Sequence, residues 1–141
     1  MILKIFFCVI GSLAFSITMK SPPKSIIFIA IGATVSATVD NILSDYYGGF
    51  IACFSAMICL SFYCELMARI LKMPTTVILM PSTIPLLPGS AIYYAMFYAI
   101  QTNSRLFSHY AQSTFFSGLG IALGAVVSAT VIKMINYYRD D

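Results

Sequence analysis

Long apolar runs separated by brief polar punctuation define the chain. Apolar residues fill roughly 2–19, 25–43, 48–70, 75–101 and 110–136, and the links are short: "KSPPK" with Pro22 and Pro23, "SDYYGG" with Gly48 and Gly49, "LKMPT" with Pro74, and "TNSRLFSHY". A helix rises about 1.5 Å per residue, so about 20 apolar residues cross the hydrocarbon of a bilayer. The pattern predicts an all-α membrane protein with five transmembrane helices in a single membrane domain, residues 1–141. Links this short make successive helices antiparallel. The opening run, with Lys4 as its charge and Ala14 and Ser16 as a weak cleavage site, also has the outline of a secretory leader. It is long enough to span, and Lys4 can snorkel to the interface, so a retained first helix is expected.

The fourth run departs from the pattern. "MPSTIPLLPGSAIYYAMFYAI", residues 80–100, holds Pro81, Pro85, Pro88 and Gly89 inside an otherwise apolar stretch. Proline removes a backbone N–H and clashes with the preceding turn, so three within eight positions predict a break near 85–89. Non-helical backbone at membrane depth persists only where it is buried in protein or lines a wet cavity. Gly89 permits an unusual backbone angle, and Ser90 is placed to cap the following helix. The free N–H groups of that helix start carry the positive end of the helix dipole and suit a carboxylate. Carbonyls exposed by Pro81 and Pro85 suit an ammonium or a hydroxyl. A kink that only shapes the bundle explains the prolines equally well.

Composition strengthens the membrane assignment: 60% of the 141 residues are hydrophobic and 9% are charged, far from the soluble average. The net charge of +3 is dispersed at the ends of apolar runs, which argues for orientation in a membrane and against nucleic acid. On an alternating path, Lys20, Lys24, Arg69, Lys72, Lys133 and Arg139 fall on one side and only Lys4 and Arg105 on the other. The positive-inside rule then places the C-terminus in the cytoplasm and the N-terminus outside. An odd number of spans in this orientation fits half of an inverted-repeat transporter. The chain has no convincing internal repeat, so the other half would come from another polypeptide. Gly120, Gly124 and Ser128, and likewise Gly32, Ser36 and Asp40, repeat every four residues. Each set gives its helix a face for close packing, within the chain or against a partner, and a higher oligomer is compatible with such faces. With Trp absent, Tyr46, Tyr47, Tyr137 and Tyr138 are the expected interfacial aromatics.

The broken run, preceded by "SFYCELMARILKMPTTVIL", resembles the threonine/serine exporter family (ThrE type), in particular its short-subunit, YjjB-like form. The core "IPLLPG" and the upstream Arg69 with "KMPTTV" carry the resemblance, which is specific over residues 65–100 and extends to the whole chain by length and hydropathy. It implies a secondary exporter of about ten helices, either fused or split into a longer and a shorter subunit. This chain would be the shorter subunit, partnered in the cell membrane by a larger one that carries a soluble N-terminal region. Threonine, serine or another small carboxylate is the implied cargo. Pro85, Pro88, Gly89, Ser90 and Tyr93 are the candidate substrate-binding residues.

The ionisable residues within the runs offer candidates for coupling or gating. Glu65 and Arg69, four apart with the acid first, share a helical face and neutralise each other, or form a gate or proton-coupling site. Asp40 is either an interfacial carboxylate or, if deeper, a proton carrier. Cys8, Cys53, Cys59 and Cys64 fit no zinc, redox or haem spacing. His109, the single histidine, falls in the last link, and "PGSAI" around Ser90 lacks the G-x-S-x-G elbow of a serine hydrolase. No metal cluster, phosphate loop or nucleotide fingerprint is present. Neither an enzyme nor a cofactor is expected, and an ATP-driven pump would need a separate ATPase. A structural or assembly subunit with no transport path of its own is the alternative function.

Overall fold

A computed structural model describes residues 2–140, with side chains at all of these except 2, 4, 136 and 138–140. The expected snorkelling of Lys4, the interfacial Tyr138 and the charge of Arg139 lie outside the described side chains. The described residues form six α-helices: α1 (Ile2–Thr18), α2 (Ile26–Tyr47), α3 (Gly49–Leu71), α4 (Thr75–Ser82), α5 (Gly89–Ile100) and α6 (Ser104–Asp140). Short 3-10 turns at Pro23–Ser25 and Ile84–Leu86 precede α2 and follow α4. Among the described residues there is no strand.

Three helices, α2, α3 and α6, are long and apolar enough to cross a membrane, and the α4–α5 pair, bent by 52° at its break, forms a fourth span when taken together. The first run folds as a helix, but α1 is shorter than these spans. The break in the fourth run is present, displaced slightly from the expected residues.

Helix α3 is central and packs chiefly on α2 and α6. Its buried Ala52, Ala56 and Leu60 lie four residues apart, as do Cys53, Met57, Ser61 and again Cys64 and Ala68. Such spacing places side chains on shared faces of a 3.6-residue helix. The approach of α6 is close enough that small residues are obligatory: a Cβ built on Gly120 would stand 2.6 Å from the Phe50 carbonyl oxygen, and one on Gly124 2.9 Å from that of Phe54. The glycine face of the last helix therefore serves packing within the chain. Without a hydrophobic drive between helices in lipid, such backbone proximity supplies the van der Waals contact that holds them.

Helix ends depart from expectation in physically simple ways. The last helix begins at Ser104, not near 110, because Asn103 starts it: the Leu106 N–H donates to Asn103 Oδ1 (3.4 Å) and the Phe107 N–H to the Asn103 carbonyl (3.0 Å). Arg105 and His109 thus lie on a helix, not in a link. Helix α2 likewise runs on through Asp45 to Tyr47. The links close through left-handed residues at Lys20, Lys72 and Thr102, with φ of 53°, 53° and 58°, and through Gly48 at φ 82°.

Candidate functional site

The two halves of the fourth span are held very differently. In α4, Ile78, Pro81 and Ser82 are fully buried, and Leu86 in the following turn nearly so. Ser82 ties this half to α2: its hydroxyl donates to the Ile29 carbonyl (3.3 Å), and its own carbonyl accepts from Ser36 Oγ (3.1 Å). Gly32 makes room for it, since a Cβ there would meet Ser82 Oγ at 2.9 Å. Tyr63 of α3 adds a hydrogen bond to the Phe28 carbonyl (3.1 Å).

The turn itself is mostly self-satisfied on the α4 side. The Leu79 carbonyl accepts from the N–H and hydroxyl of Thr83, the Thr83 carbonyl from the Leu86 N–H, and the Ile84 carbonyl from the Leu87 N–H. The chain then extends at Leu87 (ψ 127°) and turns at Pro88 (ψ 57°), which stands at the N-cap of α5. This corrects the expected role of Ser90: no side chain caps α5, and Ser90 lies inside its first turn. Gly89 does not take a left-handed angle, because the reversal is completed at Leu87 and Pro88. The first intrahelical bond runs from the Ile92 N–H to the Pro88 carbonyl, so the N–H groups of Ser90 and Ala91 precede it.

Of the residues expected at the break, Pro85 and Pro88 are half-buried, whereas Gly89, Ser90 and Tyr93 are exposed on the outer surface of the chain. Tyr93 packs its ring on Tyr94 and stacks with Phe97. Helix α5 buries no residue. It rests mainly on α6, where Tyr94 and Tyr98 meet Tyr110 at ring-centroid distances of 5.2 and 5.6 Å.

The coupling candidates fall into two places. Glu65 and Arg69 meet as expected, with Arg69 Nε donating to Glu65 Oε1 at 3.0 Å. The other carboxylate oxygen accepts from Thr75 Oγ1 at 2.8 Å, fixing the first turn of α4 to α3. Asp40 instead accepts from the Cys53 thiol (3.4 Å) near the opposite end of α3. Twelve residues separate Cys53 from Glu65, about 18 Å along a helix, so Asp40 and the Glu65–Arg69 pair belong to opposite ends of the bundle.

Glu65 also lines a cleft of about 340 Å³ between α3, α4 and α6, with Ser61, Thr75, Leu79, Ser128 and Lys133 among its walls. In the sequence, Lys133 stands out only as an orientation charge and Thr75 only as the boundary between the "LKMPT" link and the fourth run. The signal that was available is Ser61, four residues before Glu65 and therefore on its face. Among the described residues no group of three or more His, Cys, Asp or Glu is placed to hold a metal ion.

A bent, apolar, proline-broken span set in an all-helical bundle is the frame against which relatives can be judged. The family model described as "Threonine/Serine exporter, ThrE" matches residues 4–131. The chain belongs to the threonine/serine exporter family. The match reaches from α1 into α6 and includes the broken span, the Glu65–Arg69 pair and the cleft walls up to Ala129, while Ile132 and Lys133 lie just beyond it. Comparison with curated proteins and with solved structures finds no match in either. The chain is thus a multi-pass helical membrane protein of an exporter family.

Proposed function

We propose that this chain is the shorter subunit of a two-component secondary exporter that moves threonine, serine or another small carboxylate out of the cell. The observation that carries this reading is the fourth span, which is broken and bent by 52° within a chain of the exporter family. Discontinuous helices of this kind hold substrate and ions near the midplane in secondary transporters, with half-helix N-termini facing anionic groups. In this reading the N–H groups at Ser90 and Ala91 receive the substrate carboxylate, with Pro85, Pro88, Gly89 and Tyr93 shaping the site. Asp40 and the Glu65–Arg69 pair serve coupling or gating at opposite ends of the path.

The exposed position of these residues supports a site completed by a second, larger subunit. Helix α5 presents Tyr93, Met96 and Ile100, each more than 60% exposed, an apolar face suited to another membrane helix. Counting α1 as a short fifth span gives the odd number that suits half of an inverted repeat. The distribution of Lys and Arg supports an outside N-terminus and a cytoplasmic C-terminus in the plasma membrane.

Proteoliposomes holding this chain and the larger subunit, loaded with radiolabelled L-threonine or L-serine, test the reading. Gly89→Leu is a clean probe, because Gly89 takes no left-handed angle and a Cβ there meets nothing within 4 Å. Efflux is expected to be abolished by Gly89→Leu, or by replacing "PLLPG" (85–89) with "ALLAL", while the complex still assembles. Wild-type efflux from the assembled variants refutes the site. The outward-facing surface of α5 also favours a second reading, in which the bent helix only docks the partner. Intact efflux per assembled complex, together with loss of assembly, selects that reading.

A further inference from the structure

The cleft between α3, α4 and α6 has a chemistry of its own. Its hydroxyl groups have their hydrogens committed: Ser61 Oγ donates to the Met57 carbonyl (2.8 Å), Ser128 Oγ to the Ala125 carbonyl (3.0 Å) and Thr75 Oγ1 to Glu65 Oε2 (2.8 Å). A hydroxyl whose proton is committed offers only lone pairs to a ligand. Together with the Glu65 carboxylate, these groups make a wall of acceptors that favours a ligand rich in donors. Arg69 and Thr75 hold that carboxylate in place, so little ordering is needed when a ligand arrives.

Lys133 supplies the opposite charge. It lines the same cleft and makes no ion pair among the described residues. The Arg69-paired carboxylate of Glu65 and the ammonium of Lys133 line one cleft of about 340 Å³, a pairing of charges that suits a small zwitterion, and the volume sits at the lower end of ligand-sized pockets, about 300–1,000 Å³. Leu79 and the alanines of α6 provide the apolar floor. We infer that this cleft is a binding site for a small hydroxylated α-amino acid, with Lys133 taking the carboxylate and Glu65 the ammonium.

The location gives the site a role different from that of the break. Thr75 and Leu79 lie on α4, whose far end leads into the turn at Ile84–Leu86. The cleft is therefore at the end of the bundle and the break is deeper along the same half-helix. Cargo would bind first at the cleft and move along α4 to the break. The proposal rests on the exporter reading for the choice of amino acid probe, and its residues are distinct from those at the break.

The test is equilibrium binding to the full chain in nanodiscs. The probes are L-threonine, 3-hydroxybutyrate, which lacks the amine, and 1-amino-2-propanol, which lacks the carboxylate. Lys133→Ala and Glu65→Gln are each expected to weaken L-threonine binding by about tenfold, the loss of one charge-assisted contact. Lys133→Ala should affect 3-hydroxybutyrate and spare 1-amino-2-propanol, and Glu65→Gln should do the reverse, a pattern that misfolding does not produce. Lys24→Ala is the charge-matched control and should change nothing. Absence of saturable L-threonine binding, or binding indifferent to both cleft variants, overturns the proposal. Binding lost in Gly89→Leu but kept in the cleft variants overturns the cleft and leaves the break standing. Binding lost in the cleft variants, with wild-type efflux from Gly89→Leu, removes the break and leaves the cleft.

Discussion

Helices α4 and α5 come from one apolar run and have ended in opposite environments. Helix α4, eight residues long, sends Ile78, Pro81 and Ser82 into the bundle, whereas α5, with twelve, buries none. Hydrophobicity does not separate them, because both are apolar. The difference lies in small and hydroxylated residues: Ser82 finds Gly32 and Ser36 on α2, while α5 carries bulky aromatics and methionine toward the outside. In a bilayer, apolar surface has no preference for protein over lipid, so close packing and hydrogen bonding decide which half is held.

Mutations on the two halves measure this difference. The largest effect is expected from Ile78→Ala, since Ile78 is fully buried and such truncations cost about 2–5 kcal/mol. Unfolding in mixed detergent micelles reads the loss, and an unchanged midpoint would show that α4 is not anchored as described. Next comes Gly32→Val, whose Cβ would press on Ser82 Oγ at 2.9 Å and on Tyr63, with overpacking expected to cost about 1–3 kcal/mol. The same unfolding assay with Ser82→Gly in the background should recover part of that loss, because the contact with Ser82 disappears while that with Tyr63 stays.

A smaller effect is expected from Ser36→Ala, which removes the 3.1 Å bond to the Ser82 carbonyl, at about 0.6 kcal/mol for a hydrogen bond between membrane helices. The smallest is Met96→Ser on α5, expected within about 0.5 kcal/mol of the parent, as for exposed positions generally. Co-purification with the proposed larger subunit should nevertheless fall for Met96→Ser and be retained for Ser36→Ala. A Met96→Ser chain as unstable as Ile78→Ala would erase the contrast between the halves.

The sequence made the apolar runs, the position of the break and the Glu65–Arg69 pair legible, because span length, proline chemistry and i,i+4 spacing are local properties. It misplaced what depends on helix ends. Hydropathy finds the apolar part of a helix, not its start, so Ser104 to His109 passed for a link although Asn103 begins the helix there. The left-handed closures at Lys20, Lys72 and Thr102 carry no glycine or asparagine to announce them. Ser90 has the right residue type for a cap but stands two positions too late, after Pro88 has taken the N-cap. The cleft was hidden because Thr75 and Lys133, 58 positions apart in the chain, line one cavity only once α4 and α6 flank α3.

Gly48 is the entire connection between α2 and α3, helices of 22 and 23 residues. One residue reaches at most about 3.6 Å, so neither span has slack to settle at a level of its own. The pair is thereby built as a helical hairpin whose two helices share one level at this joint. At φ 82° and ψ 165° this joint lies in a region of backbone space open almost only to glycine. A side chain at 48 would therefore strain the one joint that sets the level of both helices.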